Sequence, residues 1–507
     1  MDLKPTSVEF NSGGIDFVQL FPPELSNTLF SYSSDRDLFS CCKCSVSWRN
    51  VINNDQQWSK RCLVRGWTTK ATLNEAHNWE DLSHMQKTNA VSLRPTPEFT
   101  LKQAEGRLYP LCEWALYFRK RLHVLKNWSQ GIYTVHKLIV PEAETESLIM
   151  NCAACTSQYF VFGTTLGFVF IWNVTGVSKV IQSIEPVTRN LEVEHVYITS
   201  NNHLVLLYEK GLVRVFHEVE KASLDTAPPF QIIYQAKVLY NFSDETRKYL
   251  QEDELDFYDE ITEEGVLFAV NDETILLTAQ NCQCFIIWDL ECGQNHRVHF
   301  LPSSCLVYQV LISNSMCIFS VLQASEDLLL PKKYGIVMFD LREKFHPKME
   351  PVAEVISPKI VDELSDQCTL QRFAFCSQEG VVGAFDMLQK TLLFLRETDL
   401  STDNLATSED LIFYHESEDR LIIALSWSGE THYRIAAHIG PVKSIRCFGS
   451  FMISGGAVRE LHIWEKLSGK KLHTVYHQPN HILDLFVSPT RILTVGRDEP
   501  PAMIGYL

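Results

Sequence analysis

Phe21-Pro22-Pro23-Glu24-Leu25-Ser26-Asn27-Thr28-Leu29-Phe30-Ser31-Tyr32 reads as the start of a small helical bundle. Leu25, Leu29 and Tyr32 recur at i, i+4 and i+7, so they share one helical face. Pro22 and Pro23 stand at the helix start, where a missing N–H does no harm. Ser34-Asp35-Arg36-Asp37 offers a capping-box-like start for a second helix, expected over 37–49 with Leu38, Cys41, Cys42, Ser45 and Trp48 on its inner face. Asn53-Asn54-Asp55 is a polar break, and a third helix follows with Trp58, Cys62 and Arg65. Three such helices bury too little surface to be very stable alone, so exposed apolar residues among them imply a partner.

Outward from this bundle, residues 72–87 read as a helix with Leu73, Ala76, Trp79 and Leu82 at 3–4 spacing, and Pro95 and Pro97 then break the chain. A further helix is expected from Leu108, with a stripe of Leu108, Leu111, Ala115, Phe118, Leu122 and Leu125 and a basic far side of Arg119, Lys120, Arg121 and Lys126. Asn127-Trp128-Ser129-Gln130-Gly131 closes it. Beyond Gly131 the chain changes to short Val/Ile/Phe/Leu runs between polar turns, the pattern of a repeated β-structure. An aromatic followed by a polar residue marks the repeat: Trp172-Asn173, Phe216-His217, Trp288-Asp289, Phe339-Asp340, Phe385-Asp386, Trp427-Ser428 and Trp464-Glu465, with Tyr506 as a final mark. The steps are 44, 72, 51, 46, 42, 37 and 42 residues, against about 40–45 for a four-stranded propeller blade. The long step holds an acidic insert, 241–265, with ten Asp/Glu against Arg247 and Lys248, which reads as a solvated loop. The chain ends in three strands, one short of a blade, and 133–140 has no blade of its own. Pairing the two closes a ring of eight blades; seven is the alternative if the Phe216 or Phe385 repeat is a distortion of its neighbour.

The order Phe21-Pro22-Pro23-Glu24-Leu25, Leu29-Phe30-Ser31-Tyr32, Asp37-Leu38, Ser47-Trp48 and Trp58 resembles the F-box over roughly 45 residues. The family has Leu where Phe21 and Ser33 stand and Val where Cys44 stands. Taken with the repeats and the Asn127-Trp128 turn, the chain resembles the F-box/WD-repeat family. That resemblance implies a multidomain α plus all-β protein: a polar tail (1–15), a three-helix F-box (16–67), a helical linker (68–130) acting as a stiff spacer, and a WD-repeat β-propeller (131–507). It also implies adaptor contacts through Phe21, Pro22, Leu25, Leu38 and Trp58, while Trp48 reads as internal packing. The implied function is that of a non-catalytic substrate receptor, joined through a Skp-type adaptor to a cullin ubiquitin ligase and holding a target protein on the propeller. The alternative is an adaptor-independent propeller scaffold with a decayed F-box.

Composition agrees with this reading. A formal net charge of −17 argues against binding nucleic acid or an anionic membrane, both of which need Lys/Arg in excess. No signal-length apolar core opens the chain and no run of 18 apolar residues appears, so no spanning helix is expected. Fifteen scattered cysteines look like core residues of a reducing compartment, which places the protein in the cytoplasm, the nucleus or both. There is no Gly-rich phosphate loop, His-Glu-x-x-His or Gly-x-Ser-x-Gly, and Cys152/Cys155 lack a second ligand pair, so no cofactor, metal or catalytic residue is expected. Cys282 and Cys284 alternate on a strand and read as core. Some propeller relatives read phosphorylated motifs with Arg clusters; here Arg214, Arg372, Arg459 and Arg497 are the candidate substrate contacts, with a basic or apolar target motif as plausible as a phosphorylated one.

Overall fold

The computed structural model describes residues 17–43, 46–65, 67, 111–138, 149–156, 158–174, 179–188, 191–218, 229–237, 266–279, 284–290, 296–301, 305–313, 315–323, 333–343, 349–365, 371–456, 459–476, 482–496 and 500–506. The expected tail, the helix over 72–87, Pro95, Pro97, Leu108, the acidic insert 241–265, Cys44, Ser45, Cys282 and Arg497 lie outside them. The described residues fall into two compact units, 17–126 and 127–506.

The first unit is helical: α1 Phe17–Leu20, α2 Pro23–Ser31, α3 Asp35–Cys41, α4 Val46–Ile52, α5 Asp55–Val64 and most of α6 Glu113–Gln130. Local chemistry sets these boundaries. Pro22 is the N-cap of α2, and Pro23 occupies its first turn. Ser34 Oγ accepts the Asp37 N–H at 3.2 Å to cap α3, and Asn54 Oδ1 accepts the Gln57 N–H at 3.1 Å to cap α5. The single helix expected over 37–49 is two: α3 is capped at Cys42, and Trp48 belongs to α4, which continues to Ile52. Trp58 anchors the core; it is fully buried, its ring stacks on Phe39 at 4.5 Å and its Nε1 donates to the Ile52 carbonyl at 2.9 Å. Phe118 of α6 joins that aromatic core. Trp48 packs edge-on against Phe30, as internal packing requires. The α6 stripe is rotated from the expected one. Arg121 and Val124 are buried while Leu122 is exposed, and the Arg121 guanidinium lies 5.9 Å from the Trp67 ring centre. A cation with a long aliphatic stem fills an inner position when an aromatic face receives it.

The second unit is an eight-bladed β-propeller, each blade a four-stranded antiparallel sheet. Blades 1 to 7 span 150–184, 193–237, 266–300, 305–357, 363–397, 402–436 and 442–476. Blade 8 takes Ile482–Val487, Arg491–Gly496 and Ala502–Gly505 from the end of the chain and Thr134–Lys137 from its other side. Thr134 pairs with Gly505 and Lys137 with Ala502, so the ring closes as the sequence implies and the count is eight. Every aromatic marker lies near the end of its blade's third strand, with Trp427 and Tyr506 one residue past it. Phe216 and Phe385 therefore mark full blades.

Apolar clusters join consecutive blades: Val161, Val196 and Leu206 between blades 1 and 2, and Trp172, Leu493 and Met503 between blades 1 and 8. A second device lies on the innermost strands, where side chains reach the backbone of the next blade. Asn151 Nδ2 donates to the Val193 carbonyl at 3.0 Å, and Asn404 Nδ2 to the Val442 carbonyl at 3.1 Å. Between blades 5 and 6, Glu363 Oε1 accepts the Leu405 N–H at 2.7 Å; between 7 and 8, Arg446 Nε donates to the Leu485 carbonyl at 3.1 Å. In blade 7, Ser454 Oγ lies 2.9 Å from His438 Nε2 and accepts Trp464 Nε1–H at 2.9 Å, tying the turn before the blade to its second and third strands.

Burial makes the propeller acid-sensitive. His438 is driven down to about 3 by desolvation, with the charge of neighbouring His462 adding to it, and His473 to about 4 by desolvation. Both stay neutral when folded and bind a proton near pH 6.5 once unfolded. The unfolded chain thus binds more protons below about pH 6.5. Stability is lost as pH falls from there towards 4, by up to about 1.4 kcal/mol per pH unit for each group. Urea midpoints at pH 7 and 5 should show this loss, and His473→Phe should reduce it by one proton's share.

Candidate functional site

The helical unit presents apolar side chains to solvent on one face. Leu25 and Leu29 of α2 and Tyr32 at its C-cap are exposed, as the i, i+4, i+7 spacing implies, and Leu20, Phe21 and Pro22 extend the patch ahead of the helix. Phe21 is 42% and Leu25 54% exposed. The five expected adaptor contacts therefore divide. Phe21, Pro22 and Leu25 form an outer face, whereas Leu38 and Trp58 are fully buried. Leu38 and Trp58 pack inside the unit; periodicity identifies an apolar position but does not say whether its partner lies inside or outside the chain.

Sequence reasoning did not single out the residue that holds this face. Arg61 of α5 sends Nη1 to Asp35 Oδ1 at 2.6 Å and Nη2 to the carbonyls of Phe30, Ser31 and Ser33 at 3.1, 3.2 and 2.9 Å. One guanidinium thus satisfies the carbonyls at the C-terminal end of α2, where the helix dipole favours a cation. Arg65 Nη2 takes the second Asp35 oxygen at 2.5 Å. Ser33, the departure from the family pattern, contributes its backbone to this arrangement. Partners 26 to 31 residues apart leave no periodic trace in the sequence.

On the propeller, the three described candidate arginines lie in three different blades. Arg214 is on the third strand of blade 2, with its guanidinium 5.0 Å from the Phe216 ring centre and Nη1 3.4 Å from Tyr208 Oη. Arg372 starts the second strand of blade 5, 3.6 Å from Asp386 and 5.8 Å from the Trp427 ring centre. Arg459 is exposed ahead of the third strand of blade 7. None of the three lies on an innermost strand.

Among the described residues, no group of three or more His, Cys, Asp or Glu is placed to hold a metal ion. Burial pushes the Cys152, Cys155 and Cys447 thiols up to about 12, so they stay protonated at neutral pH and are poor nucleophiles. No helix of the described residues is long and apolar enough to cross a membrane.

Comparison with known proteins agrees with this division of the chain. The F-box domain is matched over residues 19–60, the segment that holds α2 to α4, the first part of α5 and the exposed face. No curated protein matches the chain. Among solved structures, the computationally designed Ika8 protein is similar over 73% of this chain and 99% of its own, at 12% identity and a TM-score of 0.52. Sqt1 of Saccharomyces cerevisiae is similar over 71% of this chain and 96% of its own, at 12% identity and a TM-score of 0.51. At that identity the likeness concerns the fold.

Proposed function

We propose that this chain is a non-catalytic substrate receptor of a Skp–cullin–F-box ubiquitin ligase. F-box domains generally bind Skp-type adaptors, and an F-box joined to a propeller is consistent with a substrate receptor. The observation that carries the reading is the exposed face of Phe21, Pro22, Leu25, Leu29 and Tyr32 within the F-box match. An apolar patch of this kind on a small helical unit costs solubility unless a partner covers it. The propeller then holds a target protein close to the ubiquitin-charged carrier enzyme. Acceleration comes from proximity and orientation, for which this chain supplies no acid, base or nucleophile. In this reading the propeller is of the WD-repeat type, with His438, Ser454 and Trp464 as its best-formed repeat signature, and the protein works in the cytoplasm or nucleus.

The test is binding of the full chain to a purified Skp-type adaptor. The wild type is expected to form a one-to-one complex, and Leu25→Asp, which desolvates a charge at the centre of the face, to weaken it at least tenfold with an unchanged circular dichroism spectrum. A folded wild type that does not bind would favour the adaptor-independent scaffold.

A further inference from the structure

A second surface lies on the rim of the propeller. Phe230–Lys237, the outermost strand of blade 2, has eight residues, and the other seven outermost strands have four to seven. Its first seven, Phe-Gln-Ile-Ile-Tyr-Gln-Ala, carry no charge, whereas no other outermost strand runs more than five residues without a Lys, Arg, Asp or Glu. Charge is a usual guard of an open edge. A neutral stretch this long, without Pro or Gly and rich in Ile, Phe and Tyr, is one that native proteins cover. Gln231 and Gln235 are exposed, as are Ile232 at 47% and Ile233 at 42%.

Pairing with the inner neighbour, Leu212–Glu218, shows which backbone groups face outward. Phe230 lies opposite Glu218 and Ile232 opposite Phe216; past a bulge at Ile233, Gln235 lies opposite Arg214. Direction alternates residue by residue along an antiparallel pair, so Phe230, Ile232 and Gln235 point the same way. Phe230 fixes the sense. Its N–H and carbonyl are both taken by the Gln182 side chain of blade 1, at 2.9 Å each, while Glu218 opposite it sends its own N–H away to Asn202. Ile232 and Gln235 therefore turn their N–H and carbonyl groups outward, and among the described residues no hydrogen bond reaches them.

We propose that this edge joins two copies of the chain, strand to strand, about a two-fold axis between Ile233 and Tyr234. The spacing of the outward groups selects a second copy. In that antiparallel register Ile232 of each copy meets Gln235 of the other, so both residues exchange N–H···O=C bonds and the two bulges fall opposite each other. Ile233 lies against Tyr234 of the second copy, a β-branched and aromatic pair of the kind that stabilises antiparallel strands. Phe230, at the end of the register, is already satisfied by Gln182. Charge selects the same contact: two molecules of net charge −17 repel, and here they meet without bringing like charges together. The interface is isologous and closes at two.

The experiment is sedimentation velocity of the full chain from about 1 to 100 µM, at 50 and 300 mM salt. The wild type is expected to pass from monomer to dimer with concentration, and to dimerise more tightly at the higher salt, where repulsion between the two chains is screened; association through opposite charges would weaken instead. Ile232→Pro removes one outward N–H at a place where an edge strand accepts proline, and Ile233→Lys sets a charge at the two-fold axis. Each should raise the dimer Kd at least tenfold with Tm unchanged, and Ile233→Val should keep the dimer. Leu25→Asp should also keep it, which separates this contact from association through the apolar face of the F-box and makes the result independent of adaptor binding. A monomer throughout the range, a dimer that neither Ile232→Pro nor Ile233→Lys weakens, or one lost in Leu25→Asp overturns the proposal.

Discussion

Trp128→Ala is expected to destabilise the propeller unit by about 3–5 kcal/mol, the usual range for deleting a large buried aromatic. Trp128 is fully buried in the last turn of α6. Its ring stacks on Tyr506 at 4.0 Å and on Phe451 at 5.2 Å, and its Nε1 donates to the Pro489 carbonyl at 3.1 Å. Neighbouring Asn127 Nδ2 donates to the Tyr506 carbonyl at 3.3 Å. The two side chains therefore bind the end of the closing blade, where Tyr506 follows the strand that pairs with Thr134–Lys137. Gly131 follows with φ +67°, a left-handed conformation that lets the helix end and the chain turn into that strand. Trp128→Phe keeps most of the stacking and loses the indole hydrogen bond, at about 1 kcal/mol. Urea unfolding of the full chain, followed by tryptophan fluorescence and circular dichroism, should rank the wild type above Phe and Phe above Ala. Equal midpoints for Ala and wild type would show that this contact does not hold the blade.

Arg61→Met should destabilise the helical unit by about 3 kcal/mol, the lower end for breaking a largely buried charge pair. The substitution removes the guanidinium donor from three carbonyls at and just past the end of α2 and leaves Asp35 with Arg65 alone. Hydrogen exchange of amides in α2 and α3 should accelerate about a hundredfold, the equivalent of that energy in local opening. Arg61→Lys should recover only part of the loss, since an ammonium lacks the planar fork that spans a carboxylate and several carbonyls. If Met and wild type exchange alike, the guanidinium is not what fixes the angle between α2 and α5. The exposed apolar face sits on α2, so adaptor binding should weaken in the same variants that loosen it.

The parts of this structure that were legible in the sequence are those fixed by local repetition. An aromatic at the end of each third strand recurs because each blade needs a large side chain at the same point of its packing, and that recurrence gives eight blades even where the Trp-Asp pair itself is lost. The closing strand was legible as a count, three strands where four are needed. Helix starts were legible at Pro22-Pro23, Ser34 and Asn54, where capping is decided by one or two side chains. The break between α3 and α4 was not, because Cys42-Lys43-Cys44-Ser45 contains neither Gly nor Pro. Arg121 was assigned to a solvated side, since its burial depends on Trp67, far from it in the chain. The same limit applies at the candidate sites. The spacing of Leu25, Leu29 and Tyr32 shows a face, but whether Leu38 and Trp58 belong to it depends on tertiary packing.

The closing blade also has a consequence for how the protein is made. Thr134–Lys137 leaves the ribosome long before its partner, Ala502–Gly505. At 5–20 residues per second the early strand waits roughly 20–70 s for a partner. Throughout that interval a growing arc of blades carries two open sheet edges, each able to pair with another nascent chain. Newly made protein is therefore most exposed to aggregation and chaperone capture until Ala502–Gly505 emerges, and a truncation anywhere in the closing blade should be as damaging as the loss of a much larger piece.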